Sequence, residues 1–241
     1  MARTFVTASS QYLEIASAVL SAVEITMACW YNVSSLATSQ ALMCIGNSGA
    51  GDRFELLING STNIQATAAT SSAATASSST APSTGVWQHA CGVFTSATSR
   101  AAFLNGGGKG TNATNRTPSG VNQTAIGRRN NNSPGLYVGG RIMEAGIWNT
   151  SLTDAEVASL AAGMCPLSIR PASLVAYWPL FGNDATEFDR WKNRSDLTVT
   201  GATKGDHGRI YYQPRAIFVP KIAPVVAASF IPRRTLTGVG L

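Results

Sequence analysis

Short runs of β-branched and aromatic residues alternate with clusters of Gly, Ser, Thr and Asn over most of the chain: "TFVTA", "YLEIA", "EITMACWYNV", "ALMCIGN", "RFELLING", "WQHACGVF", "RAAFLNG", "QTAIGRR" and "LYVGGRIMEAGIWN". Strands of this length between turn signals at this spacing predict an all-β sandwich. In "EITMACWYNV", Ile25, Met27, Cys29 and Tyr31 point to one face and Thr26, Ala28, Trp30 and Asn32 to the other, as a period of two requires. Both faces are partly apolar, which predicts a central strand.

"RFELLING" follows "GNSGAGD", and "AAFLNGGGKG" ends in glycines, so both read as hairpin strands bounded by Gly-containing turns. The low-complexity stretch "IQATAATSSAATASSSTAPSTG" has the composition of a linker, yet its threonines and its place between strands suit a small-residue edge strand better. One helix is expected, in "NTSLTDAEVASLAAG". Thr153 can cap the amide of Glu156, Val157 and Leu160 recur at helical spacing, and Gly163 is the stop. Asp154 and Glu156 then sit at the positive end of that helix. "PASLVAYWPLFG" and "LTVTG" read as further strands. Strict alternation along "GRIMEAGIWN" places Glu144 on the face of Ile142 and Ile147 on the opposite one.

From Ile210 onward the pattern changes. Prolines at 214, 220, 224 and 232 interrupt every apolar run. Each fixes φ and removes an amide donor, so the segment is expected to be neither a central strand nor a helix. The chain is thus divided into a sandwich over 1–203 and a basic, proline-rich extended arm over 204–241.

Composition sharpens this reading. Charged residues are only 12% of the 241, against 44% hydrophobic ones, and an all-β domain of this length can form one unit. No window reaches the roughly 18 consecutive apolar residues of a membrane span, and "MARTFVTASSQYLEI" lacks the pattern of a signal peptide. No membrane partner is expected. Cys29, Cys44, Cys91 and Cys165 form no CxxC pair, and His89 and His207 are the histidines available. Free, buried thiols are expected, with no metal centre or cofactor. Residues 204–241 carry six bases (Lys204, Arg209, Arg215, Lys221, Arg233, Arg234) and one acid, Asp206, hence five of the six net positive charges. Prolines and apolar residues space these bases apart, so a nucleic-acid partner is not expected.

Trp30, Trp87, Trp148 and Trp178 fall within predicted strands and are expected in the core, and His89 is read as structural. Trp191, in the polar "DRWKNR", stands apart. The N-x-S/T sequons, beginning at Asn32, carry little weight in a chain so rich in Asn, Ser and Thr.

Taken in order, "YLEI…EITMACWYNV", "GVWQHACGVFTSATSRAAFLNGG", "AIGRR…LYVGGRIMEAGIWNTSLTDAEVASLAAG" and "LVAYWPL" resemble the laminin-G-like, concanavalin-A-like jelly-roll family over about residues 3–203. The resemblance implies two packed antiparallel sheets, one usually concave, in proteins that bind glycans or other proteins and are mostly not catalysts. Glucanase relatives carry a Glu-x-Asp-x-x-Glu strand. The nearest pieces here are "EFD" at 187–189 and "TDAE" at 153–156, the latter at a helix start, so no catalytic residues are assigned. Some laminin-G relatives hold calcium, for which Asp52 and Asp184 are the loop candidates, but neither lies in a dense acidic cluster.

Two functions follow. The first is a non-catalytic structural protein of a virion, a capsid decoration or accessory component of a tailed phage. Its arm would dock on virion proteins and on copies of itself through Tyr211, Tyr212, Arg215, Phe218, Phe230, Arg233 and Arg234. The second is a glycan-binding module that meets surface polysaccharide through Trp191 and the "RRNNNSPG" loop, with Arg128, Arg129, Asn130 and Asn131 as contacts.

Overall fold

The computed structural model describes residues 2–60, 62–182, 184–192, 194–208 and 210. Two eight-stranded sheets face each other. The first runs, in spatial order, β10 (Gly107–Asn112), β9 (Ser99–Leu104), β8 (Gln88–Ser96), β3 (Ile25–Val33), β12 (Gly140–Trp148), β1 (Ala2–Phe5) and β16 (Thr203–Gly205). β13 (Leu174–Trp178) pairs the C-terminal half of β12, next to the stretch that β1 pairs. The second runs β14 (Thr186–Glu187), β15 (Leu197–Thr200), β2 (Tyr12–Ile15), β11 (Gln123–Ile126), β4 (Gln40–Gly46), β5 (Arg53–Asn59), β6 (Asn63–Ala69) and β7 (Ala73–Ser77). These strands pair antiparallel throughout, and the result is the jelly-roll sandwich expected.

The alternation read from the sequence builds the interior. Met27, Cys29 and Tyr31 of β3 meet Phe54, Leu56 and Ile58 of β5 in one buried cluster. Across the sheets Phe54 and Phe94 pack edge to face, centroids 5.4 Å apart, an arrangement worth about 1 kcal/mol beyond the area it buries. β3 is central, between β8 and β12. The four cysteines are free and buried.

A second apolar cluster covers the outer face of the first sheet. Helix α1 (Asp154–Ala161) lays Val157 and Leu160 against Cys91, Val93, Phe103 and Trp148. Its start is the capping box: the Thr153 hydroxyl accepts from the Glu156 amide, and the Glu156 carboxylate accepts from the Thr153 amide at 2.8 Å. Helix and sheet approach so closely at Gly106 that a Cβ there would lie 2.8 Å from the Ala158 Cα.

Two expectations are corrected. The low-complexity stretch is two strands, not one: β6 lies inside the sheet and β7 forms its edge. Its alanines 66, 68 and 76 belong to the core, where their small size brings the sheets together. On β12, the register shifts between Met143 and Gly146, and Glu144 takes a φ of 53°. This bulge reverses the alternation. Ile142, Ala145 and Ile147 therefore all face the sandwich core, whereas Glu144 turns outward to accept a hydrogen bond from Tyr177, a member of the outer cluster.

The division after residue 203 falls within β16, which pairs β1 through Gly205. Unlike the first sheet, the second carries no helix on its outer face among the described residues. What lies there is the loop that follows β11.

Candidate functional site

The outward side chains of β5, β6 and β7 form a regular grid. Register aligns Arg53 with Ala69 and Ala73, Glu55 with Thr67 and Thr75, and Leu57 with Gln65 and Ser77. The floor is therefore made of small residues, hydroxyls and an amide. Thr67 and Thr75 hydrogen-bond to each other at 3.0 Å, and Gln65 donates to Ser77 at 3.2 Å.

One wall rises from residues 127–139. Arg129 and Gly135 form an antiparallel bridge that closes this segment into a small hairpin. The segment rests directly on β4: a Cβ at Gly46 would lie 1.6 Å from the Asn130 carbonyl oxygen, so only glycine allows this contact. Leu136, at a φ of 52°, accepts from the Ala41 amide at 2.8 Å and fixes the wall's far end. Between wall and floor runs a groove of about 310 Å³ lined by Arg53, Leu57, Asn59, Gln65, Thr75 and Arg129, among others.

Glu55 organises the groove. It points away from the core yet is fully buried, because the wall lies over it. Its Oε1 accepts from Arg129 Nε at 2.9 Å, while Oε2 accepts from Arg129 Nη2 and Arg53 Nε, both at 3.0 Å. Burial by itself would lower the Arg129 pKa, but the hydrogen bonds and charge of Glu55 outweigh it and hold the guanidinium above its ordinary value. Arg53 also donates from Nη1 to the Gly51 carbonyl at 2.9 Å. Arg53 Nη2 and Arg129 Nη1 have no protein partner among the described residues, and the side chains keep 13% and 26% exposure. Beneath the wall, burial and the nearby Glu55 charge push the Cys44 thiol up to about 12.

The glycan contacts expected from sequence are thereby separated. Arg129 stands in the groove. Arg128 lies on the Tyr12 ring, its guanidinium carbon 3.5 Å from the centroid, and donates to Glu14 and Asn130. Asn130 is fully buried and Asn131 accepts from the Ser133 amide, so these side chains shape the wall instead of facing the groove. Trp191 follows β14, at the opposite edge of the second sheet, with β15, β2, β11 and β4 intervening before β5. The arm residues Tyr211, Tyr212, Arg215, Phe218, Phe230, Arg233 and Arg234 lie outside the described residues.

Arg53, Gln65, Thr67 and Thr75 were not singled out by sequence reasoning. A signal existed: in "RFELLIN" the charges of Arg53 and Glu55 alternate with Phe54, Leu56 and Ile58, marking a polar outer face on an otherwise apolar strand.

The remaining acids hold the scaffold. Glu187 pairs with Arg3 at 2.9 Å and accepts from the Phe181 amide, and Asp189 accepts from the Tyr177 and Trp191 amides. Asp154 pairs with Lys109 at 2.8 Å. Asp52 accepts from the Ser119 amide, and Asp184 offers its carbonyl to Arg3. No three acids, histidines or cysteines converge as a metal site among the described residues. Glu144 accepts from Tyr177, and its other oxygen lies 3.0 Å from His207 Nε2. His89 is buried against Trp30, with its Nδ1 lacking a partner among the described residues.

A family model described as the concanavalin A-like lectin/glucanases superfamily matches residues 7–158. No curated protein matches the chain by sequence. Among solved structures, it is similar to a putative carbohydrate binding protein from Bacteroides ovatus, at 17% identity and a TM-score of 0.62 over 87% of this chain and 61% of that one. A heptameric SAP-like pentraxin from Limulus polyphemus matches at 12% identity and a TM-score of 0.58, over 85% of this chain and 94% of the pentraxin. Domain 4 of AbnA, a GH43 extracellular arabinanase from Geobacillus stearothermophilus solved with arabinotriose, matches at 20% identity and a TM-score of 0.53, over 61% of this chain and 71% of that one. The chain thus spans under two thirds of the length of the Bacteroides protein.

Proposed function

Because this chain belongs to the concanavalin A-like lectin/glucanase superfamily, we propose that it binds carbohydrate without cleaving it, in the groove across β5, β6 and β7. The observation that carries this reading is the lining. Hydroxyls of Thr67 and Thr75, the amides of Asn59 and Gln65 and two guanidiniums offer donors and acceptors to sugar hydroxyls, beside the apolar Leu57 and Leu136. A few placed polar groups on a preformed concave surface of this size suit a small-molecule site. The wall is fixed by backbone contacts before any ligand arrives, which lowers the ordering cost of binding.

The same lining argues against hydrolysis. Glycosidases bring two carboxyl groups to the scissile bond, about 5–5.5 Å apart in retaining enzymes. No carboxylate lines this groove among the described residues; the one beside it, Glu55, is buried and engaged by two arginines.

A glycan microarray followed by calorimetry on the hits tests the proposal. At least one oligosaccharide class binds, and the Gln65→Ala/Thr75→Val double variant weakens it about tenfold, the equivalent of one or two hydrogen bonds. An array without binders, or hits untouched by the double variant, refutes this site.

A further inference from the structure

We propose that the groove selects acidic saccharides, with a uronate-type carboxylate docking on the unpaired guanidinium edges of Arg53 and Arg129. This rests on the reading of the groove as a carbohydrate site and adds the class of sugar.

The argument begins with charge. The charged groups lining the groove are Arg53 and Arg129, and the carboxylate facing them is Glu55. Two positive charges against one negative leave the groove with a surplus of one positive charge. The rest of the lining is neutral. Glu14 lies behind the wall, engaged by Arg128, and Asp52 is turned to Ser119.

Geometry supplies the second step. Glu55 uses both oxygens on the two arginines, and the Gly51 carbonyl takes a further N–H of Arg53. Each guanidinium is planar, so fixing one edge fixes the other. Arg53 Nη2 and Arg129 Nη1 are thereby held in place without a protein acceptor among the described residues. Two immobilised donors carrying positive charge match a carboxylate better than a hydroxyl, because hydrogen bonds between ionised partners are roughly twice as strong as neutral ones. A neutral sugar can occupy the same donors but leaves the surplus charge uncompensated. The buried Glu55 thus acts as a fixed counter-charge that orients the arginines without neutralising both.

The test uses the full chain and three probes in calorimetry: an oligogalacturonate, the same oligomer with its carboxyls methyl-esterified, and a sulfated neutral oligosaccharide. The expected result is binding of the oligogalacturonate at least about tenfold tighter than of its ester, with the preference shrinking between about 20 mM and about 300 mM salt as screening grows. In the Arg53→Gln variant, its fold checked by thermal melting, affinity for the oligogalacturonate falls more than affinity for the ester, so most of that preference is lost. The comparison of acid with ester needs no variant and stands even if Arg53→Gln unfolds. Equal binding of acid and ester, or binding of neutral sugars alone, overturns the acidic selectivity while leaving the carbohydrate site intact. Binding of the sulfated probe without the uronate overturns the carboxylate assignment. Failure of all three probes together with every sugar on the array overturns both proposals.

Discussion

Replacing Glu55 by alanine removes the carboxylate that holds Arg53 and Arg129 and leaves two like charges facing each other under the wall. Breaking a buried ion pair from one side typically costs about 3–5 kcal/mol, because the surviving charge stays desolvated. Arg53 and Arg129 keep 13% and 26% exposure, so partial rehydration places the loss near the lower end, about 3 kcal/mol. In a domain of this size each kcal/mol moves the midpoint by roughly 2–4 °C, so differential scanning fluorimetry should record a fall of about 6–12 °C. The double variant Glu55→Ala/Arg129→Ala removes one uncompensated charge together with its partner and should recover part of the loss, a non-additivity that identifies the pair. A midpoint unchanged to within about 2 °C, or a double variant as unstable as the sum of its parts, would refute the role given to Glu55.

Four further outcomes follow from other parts of the fold. Gly46→Ala, whose Cβ would meet the Asn130 carbonyl oxygen at 1.6 Å, should lift the wall, cost about 1–3 kcal/mol in urea titration and weaken glycan binding in calorimetry. Removal of the helix cap by Thr153→Ala should cost about 1 kcal/mol by the same titration. Burial raises the pKa of Glu156, but its bonds to Thr153 and Arg170 prevail and hold it below its ordinary 4.5. Its stabilising contribution is therefore complete above that pH and is lost as pH falls through the folded value. The melting-temperature gap between the wild type and Glu156→Gln should close on acidification. Burial pushes His89 down to about 3 from an ordinary 6.5. Between these values the unfolded chain binds the extra proton, so stability should fall as pH drops below 6.5, and His89→Gln should flatten that slope in melts across the range.

Most of the strands and the helix were legible because each depends on its own residues. The alternation of β3 and β5 set their buried faces, and the capping box marked the start of α1. The bulge at Glu144 was not legible, since strict alternation is the default and the outward turn depends on Tyr177, 33 residues away. The low-complexity stretch hid two strands because alanine and threonine give little contrast between faces. The groove was half legible. The "RRNNNSPG" loop contributes the wall, but which of its side chains face outward is decided by contact with Gly46 and Tyr12. Its partner strands, β5 to β7, are joined to the wall only in three dimensions, through Glu55.

The division of labour between floor and wall has a consequence for how such a protein can change. The floor belongs to hydrogen-bonded strands whose inward side chains form the core, so its outward residues can vary only within a fixed lattice. The wall is one connection between β11 and β12, and surface connections tolerate changes of length at little entropic cost. Grafting a different segment in place of residues 130–136, with Gly46 kept beneath it and Arg129 kept for Glu55, should alter which sugars the proposed site accepts while leaving the sandwich unmoved.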